Sequence, residues 1–193
     1  KININVKKMN IDLMSISAHK FYGPKGVGAL LTRKRDGLSI PLKPLMFGGG
    51  QEKGLRPGTL PVHLIVGMGH AALAAKNKSK SWHDSCLQIK NIALDAFKNI
   101  DHKIHGDIEN TLPNTLSISF ADIHAEALIN CLKDVAEIST GSACTSASYT
   151  PSHVLTAMGL TEDEATAVVR FSWWPNTDSS VWQKIVKRIE IIL

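Results

Sequence analysis

The apolar and polar positions of the first 60 residues form short runs that predict strands and turns. Residues 11–16 are an apolar run that ends in a small polar cluster, and residues 26–31 predict a buried strand that closes at a charged turn. Residues 47–59 read FGGGQEKGLRPGT and contain five glycines. Glycine is favoured where the backbone adopts positive φ angles or approaches a ligand closely, so this segment is a candidate ligand loop.

The rest of the chain alternates helical and strand patterns. Pro61 suits the first position of a helix, and apolar residues recur at helical spacing as far as Ile100, which predicts one long helix or two in series. The pattern beyond it predicts strands at 102–108 and 115–120, a helix at 125–132, a strand near 136–139, a loop, a helix, a strand at 167–172 and a final amphipathic helix. This order predicts an α+β layer.

Composition excludes several classes of protein. With 193 residues, 44% of them apolar, the chain can bury a core, which excludes disordered and fibrous proteins. The longest mostly apolar stretch, 63–75, is too short and too often interrupted to cross a membrane, and we expect no secretory signal at the start. Three cysteines with no close pair indicate a reducing compartment, the cytoplasm, rather than a disulfide framework.

The net charge of +5 does not by itself indicate a nucleic-acid-binding protein. The basic residues are spread along the sequence, and no aromatic residues are interleaved with them as a base-stacking platform requires. We expect a solvated basic surface and no direct contact with nucleic acid.

Nucleotide and metal motifs are absent or incomplete. Residues 67–72 match a degenerate dinucleotide fingerprint, but they lie inside a helical pattern, and 49–54 has the spacing of a P-loop without its Lys-Ser/Thr pair. No CxxC motif occurs, and His102 and His105 form an isolated pair. The sequence therefore predicts no metal site.

The three cysteines lie in different contexts. Cys86 and Cys131 fall in amphipathic helical patterns, where a small buried thiol is common. Cys144 lies in the run TGSACTSAS, which has no bulky residue to cover the thiol. Such a run can present a thiol to solvent or to a ligand, although a linker cysteine has the same surroundings. Cys144 is a candidate nucleophile, with a linker cysteine as the alternative.

Lys20 also stands apart from the other lysines. It ends an apolar strand, follows Ser17 and His19, and precedes a rigid turn at 22–24. An amine in this position can be desolvated, and desolvation lowers the pKa of an amine toward the range where it acts as nucleophile and base. Ser17 and His19 can both donate hydrogen bonds to a nearby phosphate.

Four segments in a fixed order carry a resemblance to a known family. The chain reads SISAHKFYGPKGVGAL, then GGGQEKGLRPGTLPVH, then STGSACTSAS, and last VVRFS. The same motifs occur in this order in the pyridoxal-phosphate-dependent cysteine desulfurases of the NifS/IscS type. The chain resembles the IscS branch over essentially its whole length.

The resemblance implies a cofactor and a set of site residues. Lys20 resembles the lysine that carries pyridoxal 5'-phosphate, while Ser17 and His19 resemble phosphate contacts. Thr59 resembles a phosphate contact that reaches the cofactor of the opposite subunit in a homodimer. Arg170 resembles the residue that pairs with the substrate carboxylate, and Cys144 resembles the nucleophile that accepts sulfur from L-cysteine. Sulfur then passes to an iron–sulfur scaffold or another acceptor protein, for iron–sulfur cluster assembly or tRNA thiolation.

The resemblance covers only the C-terminal half of these enzymes, because their ring-stacking residue, their ring-nitrogen carboxylate and further phosphate contacts precede the Lys20 strand. It predicts an α/β fold: residues 1–75 end the large domain of a type I pyridoxal-phosphate fold, and residues 76–193 form a small α+β domain. Residues 173–175 read Trp-Trp-Pro, where the IscS branch has a smaller turn containing glycine.

Two alternatives to a cysteine desulfurase stay open. One is a selenocysteine lyase or another class V aminotransferase relative. The Cys144 loop would distinguish a cysteine desulfurase from such an aminotransferase, which needs no nucleophilic thiol there. The other is a fragment that binds partners without turnover, and we expect the 193-residue chain alone to be inactive.

Overall fold

The computed structural model describes residues 1–140 and 152–193. Its strands are β1 (Leu13–Ser17), β2 (Gly28–Thr32), β3 (Lys34–Arg35), β4 (Leu38–Ser39), β5 (His102–Ile104), β6 (Thr115–Phe120), β7 (Ser139–Thr140) and β8 (Val169–Ser172). Its α-helices are α1 (Val62–Phe97), α2 (Ala125–Leu132), α3 (His153–Ala157), α4 (Glu162–Ala167) and α5 (Val181–Ile192), and 3₁₀ turns form at Ala18–Phe21 and Gln51–Gly54. None of the helices among these residues is both long and apolar enough to span a membrane.

The chain divides into two compact units. The first unit is Ile2–Ser79, and the second is Lys80–Leu193 together with Lys1. The division falls within the Lys-rich segment 76–81, which is part of helix α1.

The first unit is built on a two-stranded antiparallel ribbon. Strands β1 and β2 pair from Leu13 opposite Thr32 to Ser17 opposite Gly28. The prediction that 26–31 is a buried strand is wrong, since all five residues of β2 are exposed. The reason is that this unit has no second layer to cover the ribbon: within residues 2–79, all described, Ala18 is the one buried apolar side chain. A two-stranded ribbon without such a layer is only marginally stable in water.

We expect limited trypsin digestion of the 193-residue chain to cut the first unit before the helices and strands of the second. Local opening is easiest where few apolar groups are buried, and the first unit has almost none. Mass spectrometry of early digests should find cuts at lysines such as Lys34, Lys43 and Lys53. Lys90 and Lys103 serve as internal controls in the second unit. Equal cleavage rates in both sets would contradict the expectation.

The second unit contains a four-stranded antiparallel sheet in the order β5-β6-β8-β7. One face is apolar and buried, because alternate residues of β6 (Leu116, Ile118, Phe120) and of β8 (Val169, Phe171) point into the core. Helices α1, α2 and α5 supply the facing side chains, among them Phe97, Leu128, Leu132, Ile185 and Ile189. The other face carries the small polar residues of β6 and the polar residues of β8.

The strand predicted at 102–108 is shorter than expected. Strand β5 ends at Ile104, and Gly106 has a φ of 104°, which glycine adopts readily and other residues do not. Asp107 then accepts backbone hydrogen bonds from Glu109 and Asn110, at 2.9 and 3.2 Å, which fixes a turn. A local turn therefore ends the strand.

A buried lysine ties this turn to α1. The Nζ atom of Lys90 donates to the carbonyl of Ile108 at 3.1 Å and to Thr111 Oγ1 at 2.6 Å. Burial lowers the pKa of the Lys90 ammonium group. Lys90 fixes the connection between β5 and β6 against the long helix.

Candidate functional site

The end of β1 presents three of the predicted site residues together. Ser17 is the last residue of the strand, and His19 and Lys20 lie in the 3₁₀ turn that follows directly. Ala18 between them is completely buried, while His19 and Lys20 are exposed. The sequence predicted a desolvated Lys20, and this is wrong for the described chain, because no layer covers the ribbon. The turn holds a hydroxyl, an imidazole and a primary amine within four consecutive residues.

Two glycines shape the space around this turn. A Cβ atom at Gly28, which is paired with Ser17, would lie 2.5 Å from the carbonyl oxygen of Ile16. A Cβ atom at Gly23 would lie 3.0 Å from both Cβ and O of Ala18 and 3.1 Å from the Cβ of Ala71 on α1. Side chains at these positions would collide with the backbone, so the turn needs glycine at both. The resulting cradle packs closely against α1 and leaves the polar side chains outside.

Charge in the first unit favours an anionic ligand. The unit holds 12 of the 22 Lys and Arg residues but only three of the 17 Asp and Glu residues. One of those three acids, Asp12, forms an ion pair with Arg35 at 2.6 Å. The net charge of the whole chain hides this concentration of positive charge, which attracts a phosphorylated ligand.

Thr59 lies in the glycine-rich loop of the same unit. It is exposed and follows Gly58, whose φ is 109°. Among the described residues its side chain has no hydrogen-bond partner, and no contact links it to Lys20. The loop also holds Glu52 and Lys53 at φ values of 50° and 59°, in a left-handed conformation that is uncommon outside glycine. The structure places Thr59 in the same unit as Lys20 without joining the two side chains.

Arg170 lies on the polar face of the sheet in the second unit. It is exposed on β8, directly opposite Ser117 of β6 and Ser139 of β7. Residues paired in this way project on the same face, so two serines flank the arginine. Within residues 1–140 and 152–193, no group hydrogen-bonds or ion-pairs with the Arg170 guanidinium. An unpaired guanidinium of this kind can bind a carboxylate through two parallel hydrogen bonds.

Cys144 lies outside the described residues. The segment that contains it starts from β7, whose Thr140 pairs with Val169, the residue before Arg170. Of the other cysteines, Cys86 is buried, which raises the pKa of its thiol, and Cys131 is half-buried with its thiol donating to the carbonyl of Arg188 at 3.3 Å. The expected burial of the thiol is found for Cys86 and only in part for Cys131.

Comparison with known proteins identifies the family. The sequence matches the family model of the class V aminotransferases over residues 1–181. The chain belongs to the class V aminotransferase family. The resemblance seen in the four motifs is thereby confirmed.

Cysteine desulfurases are among the curated relatives of this class V chain. The chain is 47% identical to the cysteine desulfurase IscS of Vibrio cholerae over 174 residues, covering 90% of the chain and 42% of the relative. It is 44% identical to the IscS of Vibrio campbellii over 192 residues, covering 99% of the chain and 47% of the relative. The chain thus spans about half the length of the curated relatives it matches.

Solved structures agree on the fold. A NifS-like protein superposes on the whole chain with a TM-score of 0.86 at 35% identity, over 49% of its own length. DndA from Streptomyces lividans has a TM-score of 0.72 at 43% identity, covering 86% of this chain and 47% of its own. The chain therefore has a mixed α/β fold that corresponds to part of a type I pyridoxal-phosphate fold, as predicted.

Class V aminotransferases and cysteine desulfurases depend on pyridoxal 5'-phosphate, and the end of β1 suits that group. The cofactor carries a phosphate and an aldehyde. Ser17 and His19 can donate hydrogen bonds to the phosphate, and the primary amine of Lys20 would hold the aldehyde carbon.

The positions of Ser117 and Ser139 beside Arg170 were not predicted from the sequence. Ser117 and Ser139 flank Arg170 only because the sheet pairs β6 and β7 with β8. The alternation in TLSISF shows which residues share a face, but it does not show which strand lies beside them.

Proposed function

We propose that this chain is the C-terminal portion of a pyridoxal-phosphate-dependent cysteine desulfurase, which converts L-cysteine to L-alanine and carries the sulfur as a persulfide on Cys144. The observation that carries the proposal is the end of β1, where Ser17, His19 and Lys20 bring a hydroxyl, an imidazole and a primary amine to one strand end and turn, which Gly23 and Gly28 shape. The identity to IscS relatives supports it.

Each predicted residue has a role that suits its chemistry. Ser17 and His19 bind the cofactor phosphate, and Thr59 binds the phosphate of the opposite subunit's cofactor in a homodimer. When bound, the cofactor supplies an electron sink for the α-carbon of the substrate. Arg170 binds the substrate carboxylate through its guanidinium. Lys20 carries the cofactor and, once released from it, takes the α-proton on Nζ.

Cys144 accepts the sulfur atom. A new S–S bond forms at Cys144, the Cβ–S bond of L-cysteine breaks, and the substrate leaves as L-alanine. The exchange between L-cysteine and Cys144 needs no other oxidant or reductant. The small residues around Cys144 suit a segment that enters the site and then delivers sulfur to an acceptor protein. We propose an iron–sulfur scaffold or a protein of tRNA thiolation as that acceptor, in the cytoplasm.

In this proposal the domains follow the sequence expectation. Residues 1–75 end the large cofactor domain, and residues 76–193 form the small domain with Arg170 and Cys144. The first unit's lack of a core supports the view that it needs the N-terminal half of the longer relatives. We therefore propose that the 193-residue chain alone does not turn over substrate and at most binds partners.

The test compares two proteins. The full-length protein that contains this chain and the 193-residue chain are each incubated with pyridoxal 5'-phosphate and L-cysteine, and L-alanine and sulfide are measured. We expect both products from the full-length protein and neither from the short chain. Selenocysteine as the preferred substrate, with no sulfide from L-cysteine, would favour the lyase alternative. Products from the short chain would refute its inactivity.

A further inference from the structure

Among the described residues, only strand β8 positions the Arg170 side chain. No described group contacts its guanidinium through a hydrogen bond or ion pair, so its position follows from the backbone of β8. Strand β8 has four residues and lies between β6 and β7, and β7 contributes only two residues. Whatever fixes the end of β8 therefore also fixes the arginine.

Trp173, the residue after β8, makes three hydrogen bonds that fix this end. Its backbone N–H donates to the carbonyl of Asn114 at 3.1 Å, and Asn114 Nδ2 donates to the carbonyl of Trp173 at 3.2 Å. Its indole Nε1 donates to the carbonyl of Cys86 on α1 at 3.0 Å. The first bond continues the β6–β8 pairing by one residue, the second adds a side-chain bond between the same two residues, and the third ties Trp173 to the long helix.

The side chain of Trp173 lies in a buried aromatic cluster, and α1 bonds the segment that follows it. The side chain is only 6% exposed and packs edge to face against Trp182, with ring centroids 5.6 Å apart. Two residues further on, the carbonyl of Pro175 accepts a hydrogen bond from Ser85 Oγ at 2.5 Å, so α1 holds this segment at a second point.

We propose that Trp173 is a positioning residue for substrate binding: its bond to α1 and its pairing with Asn114 hold β8 so that Arg170 meets the substrate carboxylate. This inference rests on the proposed function of Arg170. Trp173 contacts no substrate in this account and acts only through the strand. Its loss should affect the binding of carboxylate-bearing ligands more than the rate of the chemical step.

Trp182 provides a matched control. It is buried in the same aromatic cluster, 3% exposed, but its Nε1 has no hydrogen-bond partner among the described residues. Trp173→Phe and Trp182→Phe both remove one fused ring from this cluster. Only the first also removes a hydrogen bond, the one to the carbonyl of Cys86.

The experiment measures the Kd of L-alanine by equilibrium dialysis and the KM and kcat of L-cysteine in the full-length holoenzyme. We expect Trp173→Phe to raise Kd and KM up to about fivefold, the most that the free energy of one buried hydrogen bond supplies, while kcat changes less than about twofold. Trp182→Phe should leave all three within about twofold. Asn114→Ala, which removes the bond from Nδ2, should weaken binding in the same direction and serves if Trp173→Phe does not fold.

A double variant separates positioning from general stability. In an Arg170→Lys background, Trp173→Phe should add less than about twofold to Kd, because residues that act through one another are not additive. Three results would each overturn the inference: unchanged Kd in both Trp173→Phe and Asn114→Ala, equal effects of Trp173→Phe and Trp182→Phe, or an undiminished effect beside Arg170→Lys. A wild-type enzyme that neither binds L-alanine nor turns over L-cysteine would refute the proposed function itself, and this inference with it.

Discussion

Replacing Lys20 with alanine is expected to abolish cofactor retention and turnover in the full-length protein. Lys20 is the amine at the end of β1, and the exposed turn offers no second amine beside Ser17 and His19. Under the proposed function, the cofactor in this variant would be held by hydrogen bonds and no longer by a covalent bond, and dialysis removes a group held in that way. The same variant loses the base that takes the α-proton, so we expect activity to fall by at least about a thousandfold.

Lys25 is the matched control for this variant. It lies five residues beyond Lys20 in the same segment, is exposed, and precedes Gly26 rather than following the strand end. Borohydride reduction followed by intact-mass measurement should find the cofactor attached to wild type and to Lys25→Ala, and not to Lys20→Ala. Peptide mapping that finds the cofactor on any other lysine would move the cofactor site away from β1.

Local patterns in the sequence predict the fold well where both ends of an element carry signals. Helix α2 has the bounds that its apolar spacing predicts, Ala125–Leu132, and β6 matches its alternation at Thr115–Phe120. The strand at 102–108 is too long in the prediction, because the turn at Gly106 competes with the apolar run. Strand β2 is misjudged for another reason: its pattern does not show whether the layer that would bury it lies in this chain.

Only part of the candidate site could be predicted from local patterns in the sequence. Ser17, His19 and Lys20 are neighbours in sequence, so a strand followed by a turn is enough to place them together. The serines beside Arg170, and the bonds of Trp173 to Asn114 and α1, join residues far apart in the chain. Such contacts depend on strand register and helix packing, which the pattern of one segment does not specify.

The positive charge of the chain is concentrated in its first unit. The basic residues are spread along the sequence, yet the first unit has 12 of them against three acidic residues, while the second unit has 10 against 14. That unit also holds the end of β1 that suits a phosphorylated cofactor. The basic character of the chain therefore fits a phosphate ligand without a nucleic acid partner.

Replacing Cys144 with serine is expected to abolish the release of sulfide and L-alanine while leaving cofactor and substrate binding intact. Serine keeps the size of the side chain but removes the sulfur that must form the S–S bond, and a hydroxyl is far less nucleophilic than a thiolate at neutral pH. Arg170 and Lys20 remain in place, so L-cysteine should still bind and still perturb the absorbance of the bound cofactor.

Cys131→Ser is the control for Cys144→Ser, because its thiol donates to the carbonyl of Arg188 and a hydroxyl can make the same bond. We expect it to keep wild-type activity and to accumulate a persulfide that alkylation and mass spectrometry locate on Cys144. Sulfide released by Cys144→Ser at the wild-type rate would show that the sulfur leaves without an enzyme thiol, and the chain would then belong with the class V relatives that need no nucleophilic cysteine. The two serine variants thus test whether Cys144, rather than another cysteine, is the nucleophile. Only the cysteine that forms the S–S bond can carry the persulfide.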